Sequence, residues 1–205
     1  MYVTTKHWLD DLLPRLETQW VEQNAPIANH LQRGLTDEQV AAIEAALEVP
    51  LPAEVKLLWQ WHDGTDSDNS WDSCVVVGGW QFLSSAQALA MRSQRLQANG
   101  RPYPEPDPDE WEGDWHPAWL PIAFADACVL FVDVRQASQG GTVSVRRHDW
   151  CPDDPFTPVV GSIAALLAVW VDVLEKRYEF WAVDGGGIDG DPDAIPLGYR
   201  VMGVC

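Results

Sequence analysis

Apolar positions along this chain fall first into helical and then into strand periods. Trp8, Leu9, Leu12, Leu13, Leu16, Trp20 and Val21 recur at three- and four-residue steps and predict an amphipathic N-terminal helix, with Pro14 as a kink or restart. Residues 24–34, with Asn24, Pro26, Asn29 and Gly34, form a connector. Residues 34–64 then carry a helix pair with unusually full punctuation. Thr36 and Gln39 make a capping box, and Leu35 and Val40 can close a hydrophobic staple around it. Val40, Ile43 and Leu47 line one face, Pro50 halts the helix, and Pro52 suits the first turn of the next. Val55, Leu58, Trp59 and His62 repeat the period until Asp63-Gly64 supplies a stop.

Beyond Gly64 the period changes. A polar acidic loop leads to strands at Cys74 to Val77 and Gln81 to Leu83, around a Gly78-Gly79 turn. Ser84 with Gln87 starts another helix, which Asn99-Gly100 ends. A long Pro-rich acidic loop occupies 100–118. Strands follow at 119–125 and 128–134, and a third at Thr142 to Arg147. A second acidic loop spans 149–158, Ser162 caps a long apolar helix to about Phe180, and a Gly- and Asp-rich tail closes the chain.

Two sets of residues in this order resemble the SMI1/KNR4 family of the SUKH superfamily. The first is Leu35, Thr36, Ile43, Glu44, Leu51, Pro52, Glu54, Leu58 and Gly64, with Asp63 where the family has Asn. The second is Trp119-Leu120-Pro121-Ile122-Ala123, Leu130 with Asp133, Gly141 with Val143, and Ser162, Ile163 and Leu166. The family's Gly-rich turn is replaced by Phe124 to Ala127. The resemblance implies an α+β fold, a small and mostly antiparallel sheet with helices packed against it. It divides the chain into an N-terminal helical extension (1–33), an SMI1/KNR4-like domain (34–180) and a Gly/Asp-rich C-terminal tail (181–205). It also implies a non-catalytic protein-binding module. Similar proteins include immunity proteins that neutralise polymorphic toxins, and regulators or scaffolds of cell-wall synthesis and growth.

Charge narrows the partner. The 205 residues carry 31 acidic against 13 basic side chains, a net −18, which disfavours phosphate binding and hence nucleic acid. The same charge would speed encounter with a basic protein. With no apolar run long enough to span a bilayer and no apolar stretch in the first 16 residues, the expectation is a cytoplasmic protein without membrane contact. Cys74, Cys128, Cys151 and Cys205 lack the spacing of a disulfide framework or zinc site.

Catalytic patterns fail on geometry. Asp66-Ser-Asp68-Asn-Ser70 begins like a calcium loop, but Trp71 and Val77 stand where Gly and Glu are needed. Gly185-Gly186-Gly187 lacks the Lys-Ser/Thr of a phosphate loop, and there is no Gly-x-Ser-x-Gly. His62 beside Asp63, and His148 beside Asp149, could be catalytic pairs but read better as structural histidines. No catalytic residue, metal ligand or cofactor is therefore expected.

A recognition surface remains. Glu105, Asp107, Asp109, Glu110, Glu112 and Asp114 put six negative charges in ten residues, interleaved with Trp111 and followed by Trp115. Aromatic anchors in a charged rim suit a protein interface, although tryptophans folded back onto the core fit equally well. The expected partner-binding residues are Asp66, Asp68, Asp107, Asp109, Glu110, Trp111, Glu112, Asp114 and Trp115, and the expected partner is a basic toxin domain such as a nuclease.

Overall fold

A computed structural model describes residues 5–66, 74–98, 115–125, 128–135, 145–148, 158–181, 188–191 and 193–196. Helix α1 (Thr5–Glu22) is continuous through Pro14, whose ring faces solvent. It buries Leu9, Leu12, Leu13, Leu16 and Trp20, but leaves Val21 exposed. A single 3-10 turn, Pro26–Asn29, follows. Helix α2 (Asp37–Leu47) begins with the full capping box: the Gln39 N–H donates to Thr36 Oγ1, and the Thr36 N–H to Gln39 Oε1. Helix α3 (Ala53–Trp61) starts directly after Pro52, which has no N–H to leave unpaired.

The elbow between α2 and α3 is held by Glu44, which accepts the Leu51 N–H at 2.7 Å and pairs with Lys56 at 2.6 Å. Asp63-Gly64 does not stop α3 as the sequence predicts. The helix ends at Trp61 with His62 extended, and Gly64 adopts φ +70 two residues later. The reason is tertiary. A Cβ on Gly64 would lie 2.2 Å from the Ser84 N, so this glycine lets two backbone segments touch.

Six strands form an antiparallel meander in chain order: β1 (Val75–Val77), β2 (Trp80–Phe82), β3 (Trp119–Ala125), β4 (Cys128–Asp133), β5 (Val145–His148) and β6 (Pro158–Val160). Gly78 and Gly79, at φ 59 and 77, make the two-residue turn between β1 and β2. Helix α4 (Ser85–Ala98) has its own reciprocal cap between Ser84 and Gln87. The continuous apolar run of β4 is explained by burial on both faces. Leu130 and Val132 enter the main core with α1, α3 and α5, while Val129 and Phe131 join Trp115, Trp119, Met91 and Leu96 beside α4.

Helix α5 (Ile163–Glu175) is capped by Ser162, whose Oγ accepts the Ala165 N–H. It packs against α1, α3, β1 and β6. It stops five residues short of the predicted end, and Arg177 takes a left-handed turn at φ 55. The chain then forms β7 (Glu179–Trp181), paired antiparallel with β8 (Ile188–Gly190). Alternation of Glu179 and Trp181 inward with Phe180 between them is a strand period, hidden in the sequence by the apolar helix before it. Strand β6 was likewise unexpected, lying where an acidic loop gives way to the Ser162 cap.

Helix α1 is tied to β1, to the end of α5 and to β7. Trp20 donates Nε1–H to Val76 O, Arg15 makes a two-pronged pair with Glu175, and Gln23 Oε1 accepts the Trp181 N–H. Glu179 is buried and accepts the Gly78 N–H at 2.7 Å, and burial raises its pKa. Cys74 is buried and Cys128 is half-buried against the core, and neither is in a disulfide.

Candidate functional site

Two of the expected recognition residues are described, and they sit in different surroundings. Asp66 is exposed at the end of a short antiparallel bridge between Leu31 and Thr65. Its N–H donates to His30 O at 2.9 Å, and the Gln32 N–H donates to Gly64 O at 3.0 Å. Gln32 Nε2 adds a 2.8 Å bond to Thr65 O. Beside this bridge lies a polar groove of about 470 Å³, lined by Asn29, His30, Leu31, Gln32 and Asp66. The connector residues in it were not expected to line a site. The signal available was their low apolar content next to the Asp66 loop.

Trp115 is not an exposed anchor. It is fully buried, edge-on to Trp119 at 5.6 Å and tilted against Phe131 at 5.1 Å, with the Arg95 guanidinium 4.9 Å above its ring. Its area stabilises the α4 side of the sheet, so covering the core prevails over the interface reading for this residue. Asp68, Asp107, Asp109, Glu110, Trp111, Glu112 and Asp114 lie outside the described residues.

Next to Trp115, His116 is buried, and its Nδ1 accepts the Ala118 N–H at 2.9 Å. Burial, with help from Arg135 and Arg92 and against the pull of Asp133, lowers its pKa to about 4. It is therefore neutral at pH 7. Arg92 donates Nε–H to Pro117 O, and Arg135 grips the buried Asp133 through both its backbone and its guanidinium. These polar groups pin the segment entering β3.

The His62–Asp63 pair is not formed as a catalytic dyad. His62 Nδ1 lies 2.7 Å from Gln32 O, and Nε2 lies 4.0 Å from Glu17. Asp63 turns to α4 instead, accepting the Ser85 N–H at 2.6 Å and its hydroxyl at 3.1 Å. His148 is placed in β5, opposite Val129, while Asp149 lies outside the described residues. Among the described residues no three His, Cys, Asp or Glu side chains are grouped closely enough to hold a metal ion, and no helix is long and apolar enough to cross a membrane.

The geometry thus offers a polar groove and buried carboxylates that each brace another element, on an α+β frame. The sequence model of the SMI1/KNR4 family (SUKH-1) matches residues 34–168, well over half of the chain. The chain belongs to that family. Comparison with curated proteins found no match. Membership supports a protein-binding, immunity-type domain, in a family that is generally non-catalytic.

Proposed function

We propose that this chain is an immunity protein that binds and neutralises a cognate toxin domain in the cytoplasm. The observation that carries the reading is membership of the SMI1/KNR4 family joined to a net charge of −18. A partner suited to that charge is basic, as a nuclease domain must be to grip phosphates. Asp66 and Asp68, with Asp107, Asp109, Glu110, Glu112 and Asp114, would steer the encounter, and Trp111 would supply desolvated contact area. Trp115 ties the start of β3 to the sheet. No cofactor enters, because neutralisation by covering a toxin needs no chemistry.

Co-expression with toxin domains encoded in adjacent reading frames tests this. The expected result is rescue of growth and a complex whose association slows as salt is raised. Changing Asp107, Asp109, Glu112 and Asp114 together to Lys should slow association by at least about tenfold. Absence of protection and of a complex with every neighbouring product would overturn the reading.

A further inference from the structure

Among the described residues, the bridge at Leu31 leaves a backbone edge open. With Gln32 donating to Gly64 O and Asp66 donating to His30 O, Leu31 and Thr65 form the non-hydrogen-bonded type of antiparallel pair. In such a pair the N–H and C=O of each residue point away from the partner strand. The Leu31 side chain packs against the core, and no described group meets its amide or carbonyl. The polar groove of about 470 Å³ lies at this segment, with the exposed Asp66 in its lining.

An open amide and carbonyl, a groove alongside and a carboxylate at its wall are what an extended chain needs in order to add as a strand. We propose that this groove binds an extended segment of a protein partner by strand addition. The partner's backbone pairs with the Leu31 N–H and C=O, and one of its Lys or Arg side chains lies against Asp66. The idea rests on the protein-binding reading above and names where the partner's chain is held. Charge complementarity selects the occupant: a chain with 31 acidic and 13 basic residues repels an acidic strand and attracts a basic one. Two backbone hydrogen bonds and one charge pair hold a short peptide only weakly, with a Kd on the order of millimolar. A folded partner adds surface around them.

The probe is acetyl-Val-Lys-Val-Lys-Val-amide, titrated into the ¹⁵N-labelled full chain, with the Glu-for-Lys peptide as control. The expected result is amide shifts centred on residues 29–32 and Asp66, for the lysine peptide alone. Asp66→Asn should weaken binding about fivefold, and N-methylation of the peptide's central amides should abolish it. Equal binding of both peptides, shifts centred elsewhere, or no shift at Leu31 would overturn the proposal. A cognate partner separates the two ideas. If it binds wild type and Asp66→Lys equally and leaves Leu31 unprotected from exchange, the groove is not the contact, yet protein binding stands. If no neighbouring product binds while the peptide does, the groove stands and immunity falls.

Discussion

The carboxylate of Glu54, wholly buried on α3, accepts the backbone N–H of Ile163 at 3.1 Å across 109 positions of sequence. It lies at the start of α5, where the helix presents unpaired N–H groups and positive potential. Glu54→Ala removes this long-range cap and is expected to cost about 3 kcal/mol in chemical denaturation. Glu54→Gln keeps an acceptor oxygen and should cost less. Equal losses for the two variants would show that the full carboxylate, with its charge and both oxygens, matters rather than a single acceptor oxygen.

Gly64 bears on the same frame from another side. Gly64→Ala combines a positive φ with a Cβ 2.2 Å from Ser84 N, backbone that cannot swing aside. The expected loss is at least about 3 kcal/mol, read as a fall in urea midpoint or failure to fold. Gly79→Ala serves as the control: its Cβ meets nothing within 4 Å, so only the strain at φ +77 remains.

Glu179 supplies a pH test. Burial raises its folded pKa above the ordinary 4.5, so the native state holds its proton more tightly than the unfolded chain. Its contribution to stability is therefore present at low pH and lost as pH rises through the raised value. Glu179→Gln, which still accepts from Gly78, should stabilise the protein at pH 7 and do little at pH 4. Glu179→Ala leaves the Gly78 N–H without its acceptor and should destabilise by about 1–2 kcal/mol at pH 4, and by less at pH 7, where it also removes a buried charge.

His116 works in the opposite sense. With a folded pKa of about 4 against an ordinary 6.5, it stays neutral while the unfolded chain takes up a proton. Stability from this residue is full above about pH 6.5 and declines as pH falls to 4, by up to about 3 kcal/mol. Denaturation across that window should show the slope, and His116→Asn should flatten it. An imidazole titrating near 6.5 by NMR would contradict this account.

Elements with local punctuation were legible from sequence. The caps at Thr36, Ser84 and Ser162, the β3–β4 hairpin and the Gly78-Gly79 turn all appear where residue chemistry placed them. Features that depend on distant partners were not. Asp63-Gly64 looks like a local stop because its real partners, Ser84 and Ser85, are about twenty positions on. Glu54 shares a helical face with Leu51, Val55 and Leu58, a hint that it is buried, but nothing local names Ile163 as its donor. The groove was hidden for a different reason: Leu31 contributes through its backbone, and backbone groups leave no mark on composition. For Trp115, an acidic neighbourhood favours exposure while ring contacts to Trp119 and Phe131 decide burial.

Trp20 lies stacked on Trp61 at 5.9 Å on one side of the sheet, and Trp115 sits edge-on to Trp119 at 5.6 Å on the other. Coupled indoles this close give exciton signals in circular dichroism whose sign depends on their mutual angle. Replacing one member of either pair with Phe would silence that signal alone. The two faces then become separate clocks, so the order in which each closes during refolding can be timed within a single unlabelled chain.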